Sequence, residues 1–223
     1  MPQAPTGKLL RHVRQLLAGH DSQSTSDQEL LRRFVVGREE AAFAALVRRY
    51  GPLVLGVCRR VLGHEQDAED AFQATFLVLA RRAASVRKQE ALASWLHGTA
   101  HRVAAKARVT TARRRAGERR LAGRPSTEPA DALTWGELRV VLDEELRRVP
   151  EQYRAPLVLC YLDGKTQDEA ARQLGWTPGS VKGRLERGRS LLRTRLTRRG
   201  ITLSAALLAA ALAERAASAA VVP

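Results

Sequence analysis

Two short helical patterns separated by a tight turn occupy residues 166–196. The first begins with a capping box, because the hydroxyl of Thr166 and the carboxylate of Glu169 can each accept an N–H group at the helix start. Gly175 is placed to end this helix in a left-handed conformation, and Pro178 is typical of the first residue of the next helix. The residues at inward helical spacing are Ala170, Ala171, Leu174, Val181, Leu185 and Leu192. Together these signals predict a helix-turn-helix unit.

The second helix of this unit has a strongly basic outer face. Between Lys182 and Arg199 there are eight Arg or Lys residues and one acid. Such side chains neutralise phosphates and donate hydrogen bonds to guanine edges in the major groove. The candidate DNA-reading residues are Ser180, Lys182, Gly183, Arg184, Glu186 and Arg187. An ordinary solvent-exposed helix hairpin would also show two short helices with a basic face. The prediction of DNA binding therefore depends on the capping, the turn and the charge together.

The composition favours an all-α protein with a polyanionic partner. A chain of 223 residues suits one or two small domains. Aromatic residues make up only 4% of it, and alternating strand patterns are almost absent. The formal net charge is +15, most of the excess is Arg, and the charge is clustered, which favours nucleic acid over a merely solubilising surface.

Cysteine usage and the first residues predict a reducing compartment. Cys58 and Cys160 lie in apolar helical patterns without a CxxC partner, so we expect buried side chains rather than a disulfide or metal ligands. Residues 1–20 have no uninterrupted apolar core of the kind found in secretory signals. We therefore expect a cytoplasmic protein.

The first half of the chain shows three successive helical patterns. A second capping box at Ser26 predicts a helix through about residue 36, and a longer pattern follows over residues 38–62. Gly51 and Pro52 should kink the longer helix or reset its start. The third helix opens with acids and ends with Arg81-Arg82, a polarity that complements the helix dipole.

This third helix also offers a mixed polar and apolar surface that suits docking on another protein. The candidate docking residues are Asp67, Asp70, Gln73 and Phe76. We expect Thr75 on the same exposed face. The helix dipole alone would also explain the acids at its start.

A polar loop at residues 85–91 precedes a helix that runs into a basic tract. From Arg102 to Arg124 there are nine Arg or Lys residues and one Glu. A run of charged residues usually forms a solvent-exposed helix face. Here the basic run follows an aromatic residue and histidines, a combination that can bind single-stranded nucleic acid by charge and stacking. The candidate single-strand-binding residues are Ser85, Arg87, Lys88, Trp95, His97, His101, Arg102 and Lys106.

Residues 121–134 are rich in Pro, Gly, Ser and Thr and predict a flexible linker between two domains. The first domain would span residues 26–120 and the second, with four helices, residues 135–200. Outside them lie an arm, residues 1–25, and an Ala-rich tail, residues 201–223. The uncharged run of the tail is short against the roughly 20 apolar residues of a membrane span. We expect a frayed or Ala-rich helix there, with a remnant of a membrane-directed extension as the alternative.

In this order, the elements resemble bacterial RNA polymerase sigma factors of the extracytoplasmic-function (ECF) type. Residues 67–82 are similar to the family's core-binding helix, residues 94–108 to its promoter-melting helix, and residues 146–196 to its second DNA-reading domain. The resemblance implies that the docking residues bind the clamp helices of the largest polymerase subunit, with a further contact to the flap. It implies that the loop and basic helix hold melted minus-10 DNA and that the outer face of the last helix reads the minus-35 duplex. Many family members are held by anti-sigma factors.

Two departures leave the promoter sequence open. His101-Arg102 stands where family members often have Arg-Asn, and Glu186 stands where a neutral or aromatic residue is common. An acid at the latter position can accept a hydrogen bond from a cytosine amino group. Coordinates that pack residues 94–108 inside a single continuous globule would contradict the interpretation as two separate helical modules on one promoter.

The alternative is a stand-alone helix-turn-helix regulator that dimerises on duplex DNA. Its first domain would then serve as a sensor or a dimer interface. The sequence has no nucleophile–base pair, no metal-spaced histidines and no phosphate-cradling glycine loop. We therefore expect neither enzymatic activity, nor a cofactor or metal, nor a small-molecule substrate.

Overall fold

The computed structural model describes residues 25–86, 89–121, 135–202, 204 and 208. Within these ranges every regular element is helical, which confirms the all-α prediction. In chain order they are α1 (Asp27–Gly37), α2 (Glu40–Leu62), α3 (Glu65–Arg82), two 3-10 turns (Ala83–Ser85 and Gln89–Ala91), α4 (Leu92–Leu121), α5 (Trp135–Arg148), α6 (Glu151–Tyr161), α7 (Gln167–Leu174) and α8 (Pro178–Arg198).

The long helix α2 forms the centre of the first helical group and packs against α1, α3 and α4. Its buried side chains recur every three or four residues, as a helix that faces a core on one side requires. They include Leu46, Tyr50, Val54, Val57 and Val61. Pro52 lies inside the helix, which runs unbroken from Glu40 to Leu62, so the chain does not restart at the Gly-Pro pair.

Of the helices that the structure describes, α2 alone is long and apolar enough to cross a membrane by length and composition. However, 56% of its most apolar window is buried inside this protein. Helices α1, α3 and α4 supply that burial. The apolar composition of α2 is thus accounted for by its place in the core.

The second helical group consists of α5 to α8, and the crossing of α6 and α8 depends on a glycine. Gly188 of α8 is buried against α6. A Cβ atom at this position would come within 2.9 Å of Leu157 Cδ1 and 3.2 Å of the carbonyl oxygen of Tyr153. Real side chains do not pack that closely without a shift of the neighbours. Glycine therefore sets how near α8 lies to α6.

The two helical groups pack against each other. One apolar cluster continues from Leu46 of α2 through Leu92 and Leu96 of α4 to Leu157 of α6 and Leu185 of α8. Helix α4 contacts both α5 and α6 across this junction. Residues 94–108 are therefore packed inside a continuous core along one face of α4, as the two-module interpretation does not predict. The other face of α4 is exposed.

Candidate nucleic-acid and polymerase interfaces

The helix-turn-helix unit is built from the local signals in its sequence. Thr166 Oγ1 accepts the N–H of Glu169 at 3.2 Å, and Glu169 Oε2 accepts the N–H of Thr166 at 2.8 Å. Gly175 ends α7 in the left-handed region with φ of 67°. Thr177 Oγ1 then accepts the N–H of Ser180 at 3.2 Å, with Pro178 as the first residue of α8. The predicted capping box, turn and helix start are all confirmed.

The outer face of α8 is open to solvent. Lys182, Glu186 and Arg187 are exposed, and Ser180, Gly183 and Arg184 are half-buried. The guanidinium carbon of Arg184 lies 3.8 Å from the ring centroid of Trp176, so the two planar groups are in contact at the turn. That contact orients Arg184 while its neighbours stay free to meet a ligand. All six candidate DNA-reading residues thus share one accessible surface.

Gly183 differs from Gly188 although both lie in α8. A Cβ atom at Gly183 would have no neighbour within 4 Å. Packing within the chain therefore does not require glycine here, and glycine costs a helix interior about 0.5–1 kcal/mol relative to alanine. A close approach of a ligand to the backbone would account for it.

The outer face of α3 combines acidic, polar and apolar groups. Asp70 is exposed, Asp67 and Gln73 are half-buried, and Leu77 is 58% exposed. Leu77 lies seven residues after Asp70, so the two share a helix face. Leu77 is absent from the predicted docking set, although its helical spacing from Asp70 is a sequence signal for the same face.

Two expectations about α3 change with the structure. The prediction that Thr75 is exposed is wrong: Thr75 is fully buried and donates a hydrogen bond to the carbonyl oxygen of Ala71 at 2.7 Å. Phe76 is only 5% exposed and packs edge-on against Phe72 and Phe43, with ring centroids 5.0 Å and 6.4 Å away. Phe76 therefore supports the docking face from beneath rather than lying on it.

The candidate single-strand-binding residues are divided between two faces of α4 and the preceding loop. Arg102 and Lys106 are exposed, and Trp95 is half-buried against the core. His97 and His101 are buried, at 0% and 6% exposure. Ser85 is exposed and its hydroxyl donates to the carbonyl oxygen of Arg82 at 2.9 Å. The remaining two candidates, Arg87 and Lys88, lie outside the described residues.

The buried histidines meet a polar cluster contributed by both helical groups. The Asp143 carboxylate of α5 is fully buried and accepts Arg60 Nε of α2 at 2.8 Å. Its other oxygen lies 3.0 Å from Nε2 of His97 in α4. We call these three residues the Asp143 junction. Burial lowers the pKa of His101, one turn further along α4, to about 4, which keeps that ring neutral at neutral pH.

Two further polar contacts join the two helical groups. Arg154 of α6 donates to Ser94 Oγ of α4 at 2.9 Å. Gln173 of α7 donates to Asp27 Oδ2 of α1 and to the Tyr50 hydroxyl of α2, each at 2.9 Å. Burial, together with the nearby Asp27 carboxylate, raises the pKa of Tyr50 well above its usual value. The phenol therefore stays protonated and donates its hydrogen bond to Asp27.

Comparison with known proteins places both groups in one family. A family model described as Sigma-70 region 2 matches residues 46–115, and one described as Sigma-70, region 4 matches residues 139–192. The ECF RNA polymerase sigma factor SigM of Mycobacterium tuberculosis is 32% identical over 167 residues, covering 75% of this chain and 83% of the relative. The chain belongs to the ECF RNA polymerase sigma factors.

A second curated relative agrees with this membership. The ECF RNA polymerase sigma factor SigW of Bacillus subtilis is 28% identical over 173 residues, covering 71% of this chain and 90% of the relative. A structure titled "Structure of CnrH in complex with the cytosolic domain of CnrY" is 25% identical and covers 78% of this chain and 99% of that one, with a TM-score of 0.38. That score is too low to support an argument about the arrangement of the helices.

Family membership confirms the resemblance and the function expected from the sequence. As a sigma factor, the protein directs promoter-specific transcription initiation by core RNA polymerase. The stand-alone regulator is not favoured, because the first helical group matches sigma region 2 rather than a separate sensor or dimer domain. Members of this family are initiation factors rather than enzymes.

Proposed function

We propose that this sigma factor holds one promoter at two places while the polymerase on which it docks sets the distance between them. The observation that carries the proposal is the basic, solvent-open outer face of α8, presented by a fully capped helix-turn-helix. One such face binds DNA largely through phosphates, and that binding weakens steeply with salt. A second module in the same complex raises the effective concentration of the first at the promoter.

At the minus-35 element, we assign duplex reading to the six candidate residues of α8. Lys182 and Arg187 are exposed cations on its outward surface. Glu186 is an exposed acceptor that suits a cytosine amino group. The open space at Gly183 lets a sugar-phosphate backbone approach the helix closely.

At the minus-10 element, we assign capture of the melted strand to α4 and the loop before it. The exposed cations Arg102 and Lys106 contact phosphates, and Trp95 supplies an aromatic ring. Bases stacked on protein recover roughly 1–3 kcal/mol each, against a melting cost of about 1.4 kcal/mol per base-pair step. His97 and His101 belong to this site only in a conformation that uncovers them.

For docking on core polymerase, we assign the outer face of α3. Asp70 and Gln73 provide polar contacts, and Leu77 provides an exposed apolar contact between them and the end of the helix. This surface suits the clamp helices of the largest subunit, and the second helical group is assigned to the flap. The protein acts without a cofactor or catalytic residue of its own, in the cytoplasm, where polymerase and chromosome are found.

The deciding experiment is run-off transcription with purified core polymerase on a library of promoter fragments. We expect defined start sites that depend on this protein. Asp70→Arg should weaken core binding while leaving the affinity of the isolated protein for DNA nearly unchanged. Equal losses in both assays would contradict the docking assignment. Glu40→Arg reverses the charge of an exposed acid at the start of α2, outside the docking face, and serves as the matched control.

A further inference from the structure

Helix α4 continues well beyond the core that it helps to form. Its last buried side chain is Ala104, yet the helix runs on to Leu121. We call residues 105–121 the α4 extension, which is about 25 Å long at 1.5 Å per residue. The structure describes the side chains of residues 105–114, and each of them is exposed or half-buried. This part of the helix therefore gains little from packing within the chain.

The α4 extension also gains little from its own sequence. Val109, Thr110 and Thr111 follow one another, and β-branched residues are weaker helix formers than alanine. A helix without a buried apolar stripe depends on pairs of opposite charges along its surface or on a partner. From Arg102 to Arg124, however, the chain has nine cations and one acid. A partner of negative charge would supply the missing stabilisation.

Three cations of α4 form one row on its exposed side. Arg102, Lys106 and Arg113 are all exposed. They are four and seven residues apart, which places them within about 40° of one another around a helix of 3.6 residues per turn. Arg102 and Lys106 are like charges at positions i and i+4, a pair that destabilises an isolated helix. A clustered row of this kind is typical of a surface that contacts nucleic acid.

We propose that the α4 extension lies along the double-stranded spacer just upstream of the minus-10 element and neutralises its phosphates, with Arg113 as a principal contact. This inference rests on the proposed function, because Arg102 and Lys106 of the same row are assigned to the melted strand. It adds a third DNA contact between the two promoter elements, and this contact does not depend on base sequence.

The course of the chain determines which DNA the α4 extension meets. Arg102 and Lys106 are assigned to the minus-10 element, and from there the helix runs on to residue 121. The chain then continues to the second helical group, whose α8 is assigned to the minus-35 element. The extension therefore leads into the DNA between the elements, which stays double-stranded. Lys106 and Arg113 are about 10 Å apart along the helix axis, or about three base pairs at 3.4 Å each.

The side chains beside the row suit phosphates better than bases. Between Lys106 and Arg113, the uncharged polar side chains are Thr110 and Thr111. The hydroxyl of Thr110 donates to the carbonyl oxygen of Lys106 at 3.1 Å, so it is already used within the helix. Contacts of cations with phosphates fix the position of a protein on DNA without reading its sequence. We therefore expect the extension to strengthen binding at every promoter alike.

The first test measures how tightly core polymerase with the full chain binds a promoter fragment at several salt concentrations. Arg113→Ala removes one exposed cation of the row, so the slope of log affinity against log salt should become smaller by about 0.9. The loss of affinity should be equal for spacers of different sequence. Arg113→Lys keeps the charge and should keep the wild-type slope.

Arg108 provides a matched control on the same helix. It is an exposed cation five residues before Arg113, which places it about 140° away around the helix axis. Arg108→Ala removes the same charge from a different face. Its salt slope should therefore stay close to the wild-type value.

A second measurement locates the contact on the DNA. Neutral methylphosphonates replace the phosphates of about five spacer base pairs next to the minus-10 element, a length that includes the reach of Arg113. The wild-type protein should lose affinity for this template, and Arg113→Ala should show no further loss on it. The same replacement next to the minus-35 element should leave the effect of Arg113→Ala unchanged.

The other outcomes overturn the proposal or a distinct part of the account. An unchanged salt slope in Arg113→Ala, or an equal change in Arg108→Ala, would overturn the contact of the row with the spacer. A loss in Arg113→Ala that is as large on the neutral spacer as on the native one would overturn it too. Failure of the wild-type protein to initiate at any promoter would contradict the proposed function, and the salt slopes on duplex DNA would still decide whether Arg113 meets a phosphate.

Discussion

Helices α4 and α8 are both basic, and both are assigned to DNA, yet they differ in how much of the assigned face is exposed to solvent. The outer face of α8 is open, with Lys182 and Arg187 in solvent. By contrast, α4 keeps Arg102 in solvent but buries His97 and His101 against α5. The face assigned to duplex reading is therefore exposed in the described structure, whereas part of the face assigned to melted DNA is covered by α5.

The largest effect that separates the two helices should come from the cations of α8. Replacing both Lys182 and Arg187 by Ala removes two contacts of about 1–3 kcal/mol each, so promoter use in run-off transcription should fall by about 100-fold or more. A template scrambled at minus-35 is the control. If that template loses as much activity on mutation as the intact one, these residues do not read the minus-35 element.

The inner face of α8 gives a second large effect, this time on stability. Gly188→Ala places a methyl group 2.9 Å from Leu157 Cδ1 and 3.2 Å from a backbone oxygen. Overpacking of this kind costs about 1–3 kcal/mol, which urea unfolding followed by circular dichroism would measure. An unchanged midpoint would show that α6 and α8 adjust freely, against the close crossing described above.

The structure also separates what local sequence can predict from what it cannot. The capping box at Thr166, the turn at Gly175 and the helix start at Pro178 were predictable because each depends on residues within one helical turn. Pro52 was misjudged as a possible restart because the packing of α2 on four other helices was not visible locally. Thr75 was misplaced because its position also fits the buried stripe of α3.

The covered face of α4 could not be derived from local pattern. His97 meets Asp143, which is 46 residues away in the chain, and Arg60 meets it across 83 residues. Histidines beside a basic tract fit a DNA contact equally well in the sequence alone. One signal for this contact was present in the sequence. Asp143 lies between Arg139 and Leu146 at the spacing of the inward face of α5, and a buried carboxylate needs a charged or hydrogen-bonding partner.

Acidification should sharpen the contrast by weakening the packing that covers α4. Burial lowers the pKa of His101 to about 4, from an ordinary value of 6.5. Because unfolding returns the ring to water, the unfolded state binds more protons between these two values, so stability is lost as pH falls below 6.5. Between pH 7.5 and pH 5.5 this group should lower the free energy of unfolding by about 1.4 kcal/mol.

Other charges around His101 also respond to pH, so a variant has to isolate its contribution. Asp143 and Glu144 of α5 favour the protonated ring, whereas His97 of α4 and Arg147 of α5 oppose it. Urea unfolding of wild type and of His101→Gln, measured over the same pH range, removes the contributions that the two proteins share. The expected difference is a weaker acid response in the variant. Identical pH profiles would rule out His101 as the responsible group.

The smallest effect expected is at Gly183, which contrasts with Gly188 on the same helix. Gly183→Ala should stabilise the protein by about 0.5–1 kcal/mol, because the new methyl group meets open space and alanine favours helix. Minus-35-dependent initiation should nevertheless fall, since the methyl group obstructs the approach of the DNA backbone. A variant that is more stable and fully active would show that Gly183 has no role at the promoter.

The central claim is that two modules hold one promoter at a separation set by the polymerase. The most direct test is run-off transcription on promoters whose spacer between minus-35 and minus-10 is lengthened by about five base pairs, or roughly half a helical turn. The account predicts near-complete loss of initiation, because α8 would then meet the wrong side of the duplex. Initiation that continues at the wild-type level on the lengthened spacer would contradict it.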